Sequence, residues 1–224
     1  MRARSLINGL LVASIALGAS GCLDTGDTVA PGIGAGIRFV NATSVPLDVL
    51  FDGQVALEGL PATRYSVPYL MEPGVRTISF RTRTGVMATA TVTAEPYQTF
   101  TAVGLPGSGN TPIVAEILPD TNSEPVAGKS KVRVIHVAPA APPVQAWRTQ
   151  PDFATPIHVA LPFTYGTSSN FVQSDPGEWR VWATPAAGGD SILADTGPFL
   201  VVGNALATVF LMDSAGVTVL RIVR

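Results

Sequence analysis

Hydrophobic and polar residues alternate along most of the chain, in short segments that Pro and Gly residues separate. Ile37 and Phe39 flank Arg38, Ile78 and Phe80 alternate with polar neighbours, and residues 86–93 are rich in Thr, Ala and Val. A period of two puts alternate side chains on the same face of a β-strand. Short segments of this kind, spaced by about ten residues with turns between them, predict antiparallel β-sandwiches. We therefore expect an all-β fold with almost no helix after the N-terminal segment.

This pattern occurs twice along the chain. Residues 36–120 and residues 131–224 align with modest gaps, and the turn Glu-Pro-Gly at 72–74 matches Asp-Pro-Gly at 175–177. An internal repeat of this length indicates two copies of one domain. We predict two tandem immunoglobulin-like β-sandwiches, joined by a linker at residues 121–130.

The N-terminus has a different pattern, typical of an export signal. Arg2 and Arg4 precede an apolar stretch that is interrupted at only four positions, and small residues then lead to Cys22. A charged start, a short apolar core and a small-residue cleavage site define a secretory signal peptide. We predict a signal helix at residues 1–21 and, because residues 22–35 are small, polar and rich in Gly, a flexible tether after it.

Residues 19–22, Ala-Ser-Gly-Cys, resemble the lipobox of bacterial lipoproteins. In that family the Cys carries the lipid and becomes the mature N-terminus, so the resemblance implies lipidation of Cys22. Leu23 stands where an Asp favours retention at the inner membrane, which implies transfer to the outer membrane. The alternative is an ordinary signal peptide in which Cys22 is incidental. We expect an exported protein, lipid-anchored in the cell envelope at the bacterial outer membrane.

Composition excludes several classes of protein. Charged residues make up 13% of the 224 residues, and 14 Lys and Arg face 16 Asp and Glu. Without a basic run to neutralise phosphates, the chain is not expected to bind nucleic acid. A single Cys excludes a disulfide scaffold and a Cys-based zinc site. Loss of residues 1–21 would leave a formal net charge of −4, so the lipid rather than electrostatic attraction would hold the protein at the membrane.

The repeat also carries a family resemblance. Residues 131–147, KVRVIHVAPAAPPVQAW, look like the opening of a bacterial domain of unknown function, DUF4397, and residues 37–42, IRFVNA, resemble a second form of that opening. The resemblance covers almost all of the chain after the signal and implies an exported protein, often with the domain in tandem. The family's two Asp residues are Ala140 and Gln145 here, so no site built from those acids is expected in the second copy.

Catalytic chemistry finds little support in the sequence. The chain has two His residues, and His136 aligns with Asn41 in the first copy. Both side chains can hydrogen-bond backbone groups, so we interpret Asn41 and His136 as structural residues that hold the following turn. His158 stands beside no nucleophile motif, and no metal-binding spacing occurs. We predict no catalytic residue, no metal site and no cofactor.

The aromatic residues offer a binding hypothesis. All three Trp residues lie in the second copy, and Trp147, Tyr165, Trp179 and Trp182 would form a ligand platform if they met on one surface. Aromatic faces stack on sugars and on partner side chains. The alternative is that these residues cover the ends of the sandwich or the contact between the domains.

Taken together, these features predict a non-catalytic binding or structural module. An accessory carbohydrate- or protein-binding factor, recognising a surface glycan or an envelope protein, is the second hypothesis. An unrecognised hydrolase is the third.

Overall fold

A computed structural model describes residues 34–107, 111–120, 125–149, 156–188, 191–214 and 217–223. Every regular element within these ranges is a β-strand, which confirms the all-β prediction and the expected lack of helix for this part of the chain. No helix among these residues is long and apolar enough to cross a membrane. The predicted signal helix, Cys22 and most of the tether lie outside the described residues.

In the first half, the described stretches 34–107 and 111–120 contain nine strands. They are β1 (Ala35–Asn41), β2 (Leu47–Phe51), β3 (Gln54–Leu60), β4 (Arg64–Tyr65), β5 (Tyr69–Met71), β6 (Gly74–Thr82), β7 (Met87–Ala94), β8 (Thr99–Pro106) and β9 (Ile113–Pro119).

The described residues of the second half, between 125 and 223, contain ten strands. They are β10 (Ser130–His136), β11 (Val144–Thr149), β12 (Ile157–Phe163), β13 (Thr167–Ser168), β14 (Val172–Ser174), β15 (Gly177–Pro185), β16 (Ala194–Asp195), β17 (Phe199–Val201), β18 (Leu206–Ser214) and β19 (Val217–Val223).

Strand pairing in the second half repeats that of the first. One sheet runs β4-β1-β8-β9 with β5 also on β1, and its counterpart runs β13-β10-β18-β19 with β14 on β10. The remaining sheets run β3-β2-β6-β7 and β12-β11-β15-β16, with β17 also on β15. The prediction of wholly antiparallel sheets is wrong at β1–β8 and β10–β18, which pair in parallel. Each of these pairs is joined through strands of the other sheet, so no hairpin forces the two strands to run in opposite directions.

Each half has its own apolar core, formed between its two sheets. In the first half, Ile37 and Phe39 of β1 pack with Val49 of β2 and Phe80 of β6. The second half has a separate core built in the same way from β10, β11, β15 and β18. Alternate residues of β1 and β10 point into these cores, as the period of two predicts.

A third apolar cluster joins the two halves. Val40 and Val103 from the first half pack with Ile135, Phe210 and Met212 from the second, and residues 31–224 form one compact unit. These side chains lie on the faces of β1, β8, β10 and β18 that point away from the two cores. The inner sheet of each half is therefore buried on both faces, one against its own core and one against the other half.

Candidate functional site

Two arginines and one aspartate lie at one end of the contact between the halves. Arg38 of β1 and Arg133 of β10 occupy the same position in the repeated pairing, opposite Thr101 on β8 and Thr208 on β18 respectively. Asp120 follows the last strand of the first half. Charged side chains are rarely buried unless they are paired, so the pairing within this group decides what it can do.

Arg133 is fully paired and almost fully buried, with 5% of its surface exposed. Its Nε donates to Oγ1 of Thr208 at 3.0 Å, one terminal nitrogen donates to the carbonyl of Pro119 at 2.9 Å, and the other forms an ion pair with Asp120. Its guanidinium carbon also lies 4.6 Å from the ring centroid of Phe171. Burial lowers the pKa of Arg133, and Asp120 opposes that shift. Arg133 therefore holds the two halves together across their contact.

Arg38 has no such set of partners. Its Nε is buried and lacks a hydrogen-bond acceptor within the described residues. Thr101 is the equivalent of Thr208, whose hydroxyl accepts a hydrogen bond from Arg133. The hydroxyl of Thr101 donates instead to Oδ2 of Asp120 at 2.6 Å. Burial lowers the pKa of Arg38, opposed mainly by the charge of Asp120. Two guanidinium groups thus share one carboxylate, and this group carries one excess positive charge.

A cavity of about 280 Å³ lies beside Arg38. Drug-sized ligands occupy pockets of roughly 300–1,000 Å³, so this cavity fits a small molecule. Its lining is largely apolar and comes from both halves. Its polar groups are Arg38, Asp120, Thr99 and Thr208. The main apolar contributors are Ile37, Pro68, Phe100, Phe171 and Leu206.

This arrangement suits a small anion with an apolar body. A buried guanidinium nitrogen without an acceptor gains a charge-assisted hydrogen bond from a carboxylate or phosphate oxygen. The apolar lining would cover the rest of such a ligand. No group of three or more His, Cys, Asp or Glu side chains that could hold a metal occurs in the described part of the chain.

Asn41 lies at the end of β1 and is completely buried. Its Nδ2 donates to the carbonyls of Val45 and Leu60, each at 2.8 Å, and its Oδ1 accepts from the backbone and the hydroxyl of Thr43. Every polar atom of the side chain is thus used to hold the turn after β1, which supports the structural interpretation.

His136 occupies the same position at the end of β10 and is also completely buried. Its Nε2 lies 3.2 Å from the carbonyl of Pro142, and its Nδ1 lies 3.4 Å from the backbone nitrogen of Ala138. Because a carbonyl only accepts, Nε2 carries the proton and Nδ1 accepts from Ala138. Burial lowers the pKa of His136, so the neutral ring is the favoured form.

The structure brings together only two of the four predicted platform residues. Trp147 and Trp182 lie directly opposite each other on β11 and β15, with near-parallel rings 6.3 Å apart. His158 on β12, the strand on the other side of β11, also lies against Trp147, with ring centroids 3.5 Å apart. Trp147 therefore has a ring neighbour on each side along the sheet, and Trp182 is only 7% exposed. A sugar ring would compete with these two neighbours for contact with Trp147.

Trp179 and Tyr165 lie elsewhere. Trp179 packs against the core of the second half, receives the guanidinium of Arg148 on its ring and donates from Nε1 to the carbonyl of Asp175. The hydroxyl of Tyr165 donates to the carbonyl of Pro106 in the first half. These contacts support the alternative that the aromatic residues serve packing and the contact between the halves.

The group of Arg38, Asp120 and Arg133 was not predicted from the sequence. Both arginines alternate with core residues, as polar residues on the solvent face of a strand do. The missed signal is that Val40 and Ile135, two positions further on and on the same faces, are also apolar. A strand that is apolar on both faces is buried on both faces, so an arginine within it needs a partner or a ligand.

Comparison with known families gives one match. A family model described as "Domain of unknown function (DUF4397)" matches residues 35–147, just over half of the chain. The matched span contains the first half with Arg38 and Asp120, and it extends through Arg133 to Trp147. It confirms the resemblance for the first half and for residues 131–147, and residues 148–224 lie outside it.

No curated protein matches the chain. Nine chains of solved structures match, and one of them is a leucine-rich repeat protein from Bacteroides thetaiotaomicron VPI-5482. Its identity is 8% and its TM-score is 0.21, with 83% of this chain and 26% of that chain covered. This chain spans about a quarter of that protein's length, and a TM-score this low supports no statement about fold or function.

Proposed function

This chain belongs to the DUF4397 family, and we propose that it is a non-catalytic binding module, lipid-anchored in the bacterial cell envelope, that holds a small organic anion between its two halves. The observation that carries the binding function is the buried Nε of Arg38, which has no acceptor within the described residues and lies beside a cavity of about 280 Å³. The same observation favours a module that binds a ligand over a purely structural element.

The two halves are, in this proposal, tandem immunoglobulin-like β-sandwiches of one fold. The recurring strand pairing supports this, as does the matching position of Arg38 and Arg133 in two parallel ladders. Asn41 and His136 also end equivalent strands and bind the turns that follow. Duplication of a domain would place two equivalent arginines at the contact, and a single aspartate then leaves one of them available for a ligand.

The lipid anchor rests on the N-terminal sequence. Cys22 is the single Cys of the chain, and it follows directly on the small residues of a signal-peptide cleavage site. Each buried methylene of an acyl chain contributes about 0.8 kcal/mol to membrane binding, so several chains on one Cys anchor a protein almost permanently. Leu23 supports the outer membrane as the destination.

Metabolic labelling tests the anchor. Cells that express the full chain are grown with radioactive palmitate, and the protein is recovered by an affinity tag at its C-terminus. We expect label in the wild-type protein and none in the Cys22→Ala variant. Equal labelling of both proteins, or no labelling of the wild type, would contradict lipidation at Cys22.

Calorimetric titration tests the binding function with benzoate as the probe. Benzoate carries a carboxylate on a small apolar body, and benzyl alcohol is its uncharged counterpart. A hydrogen bond to a charged group contributes about 1.5–3 kcal/mol, so benzoate should bind about tenfold more tightly than benzyl alcohol, or better. Equal affinity for the two compounds would show that the cavity does not select an anion.

A further inference from the structure

Most of the highly exposed large apolar side chains among the described residues lie at one end of the strands. Seven such side chains have more than 55% of their surface exposed, and six of them surround the starts of β1 and β10. The six are Leu70 (78%), Val75 (67%), Tyr97 (74%), Val126 (61%), Leu200 (56%) and Val202 (56%). The seventh, Val67 (75%), follows Ser66, whose backbone binds Phe39 further along β1. Single exposed apolar residues are ordinary, but a concentration of them marks an interaction surface. We call these six residues the apolar end.

Backbone pairing places the three residues of the first half together. Leu70 pairs with Gly36 at the start of β1, and Val75 follows the start of β6 at the same end. Tyr97 precedes β8, and its backbone nitrogen donates to the carbonyl of Gly34 at 3.0 Å. A Cβ on Gly34 would lie only 2.6 Å from Cδ1 of Leu70. Leu70 and Tyr97 therefore both lie beside the point where the chain enters β1.

The three residues of the second half lie at the equivalent end. Val126 belongs to the turn before β10, and the carbonyl of Lys129 in that turn accepts from the backbone of Asn204 at 2.6 Å. Leu200 pairs with Glu178 near the start of β15, and Val202 follows β17 directly. The apolar end thus spans both halves.

The fold itself does not require apolar residues at these positions in the first half. The repeated strand pairing places Gln173 in β14 where the first half has Leu70 in β5. Tyr97 corresponds to Asn204, and both have a positive φ, 66° and 61°. A left-handed backbone favours Asn far more than an aromatic residue. A Tyr that is 74% exposed in this conformation contributes little to the core, so its ring is available for contacts outside the fold.

We propose that the apolar end docks on the lipid surface to which Cys22 is anchored. This proposal rests on the lipid anchor of the proposed function. Eleven residues lie between Cys22 and Gly34, so the tether reaches at most about 40 Å, and the chain arrives at the apolar end. Tyr and aliphatic side chains are suited to the interface between headgroups and acyl chains.

Docking depends on apolar contact rather than on charge. The mature chain has a formal net charge of −4, which would repel an anionic surface. A zwitterionic phosphatidylcholine bilayer is therefore the surface on which docking should be measured. Docking would hold the module in one orientation, with the starts of β1 and β10 toward the lipid.

Fluorescence quenching in reconstituted vesicles tests the orientation. The full-length protein, processed and purified from membranes, is placed in phosphatidylcholine vesicles with and without brominated acyl chains, which quench nearby Trp. Leu70→Trp puts a probe in the apolar end. Met87→Trp is the matched control, because Met87 is 55% exposed and starts β7 at the opposite end of the same half. The three native Trp residues contribute the same background to both proteins.

We expect brominated lipid to quench the added Trp of Leu70→Trp by about twofold or more relative to that of Met87→Trp. The added Trp of Tyr97→Trp should be quenched as strongly as that of Leu70→Trp. Agreement between the two variants excludes an effect that is local to one substitution. Equal quenching at both ends in protein that floats with the vesicles would overturn docking and leave the anchor intact. Failure of the wild-type protein to float with the vesicles would overturn the anchor, and docking with it.

Discussion

Arg38 lies directly opposite Thr101 on the neighbouring strand, yet its buried Nε donates to no acceptor within the described residues. The threonine hydroxyl donates to Asp120 instead. An unsatisfied buried donor costs free energy unless something else in the molecule or its ligand compensates. Arg133, at the same position in the second half, has a partner for each guanidinium nitrogen. The unpaired Nε is therefore specific to Arg38, one of two equivalent arginines.

Removal of each arginine should therefore have a different effect on stability. Arg38→Met removes a donor without an acceptor, and the free energy of unfolding should change by no more than about 1 kcal/mol. Arg133→Met leaves the largely buried carboxylate of Asp120 without its ion pair and should lower the free energy of unfolding by about 3 kcal/mol. Urea unfolding of both variants measures the difference. Equal losses of stability would contradict the assigned pairing.

Loss of the shared carboxylate should destabilise the contact between the halves. Asp120→Asn leaves the buried guanidinium of Arg133 and the partly buried guanidinium of Arg38 without a countercharge, and we expect a loss of about 3–5 kcal/mol in the free energy of unfolding. Glu72→Gln is the control, since Glu72 forms an exposed ion pair with Arg76 and should cost less than about 1 kcal/mol. A small effect of Asp120→Asn, similar to that of the control, would show that Asp120 does not balance the arginines.

The buried His136 should make stability depend on pH. Its pKa is lowered in the folded protein, so the unfolded chain, with a pKa of about 6.5, binds the proton first as pH falls. Stability is therefore complete above pH of about 6.5 and decreases below it. The His136→Asn variant, which introduces the residue of the first half, should lose less stability between pH of about 7.5 and 5.5. Parallel pH profiles for the two proteins would rule out His136 as the titrating group.

The third apolar cluster should couple the unfolding of the two halves. Phe210 is completely buried in that cluster, and Phe210→Ala should cost about 3–5 kcal/mol. All three Trp residues lie in the second half, so their fluorescence reports on that half while far-ultraviolet circular dichroism reports on both. In the wild-type protein the two transitions should coincide, and in the variant they should separate. Coincident transitions in Phe210→Ala with little loss of stability would argue against this coupling.

The sequence predicted the strands well because hydrophobic and polar residues alternate with a period of two wherever one face is buried and the other is solvent-exposed. It predicted the repeat because turns such as Glu72-Pro73-Gly74 have the same residue types in both halves. It missed the parallel ladder between β1 and β8, since alternation shows which face is buried but carries no information on strand direction.

The candidate site was harder to predict than the fold. Asp120 and Arg133 are only 13 residues apart, but the linker between the halves separates them, and their ion pair depends on how the halves pack. The Trp residues raised the opposite problem: an aromatic cluster on adjacent strands predicts a stack, but the sequence does not show that His158 lies against Trp147 as well as Trp182. Contacts that depend on packing between strands and between halves are not visible in the local alternation of hydrophobic and polar residues.

The most direct test of the central claim, that Arg38 binds an anion between the halves, is a nuclear magnetic resonance titration of the arginine Nε–Hε signals with benzoate. The Arg38→Met and Arg133→Met variants assign the two signals. The Arg38 signal should shift and reach saturation with benzoate, while the chemical shift of the Arg133 signal should change much less. An Arg38 signal that stays unchanged at saturating benzoate would contradict anion binding by Arg38.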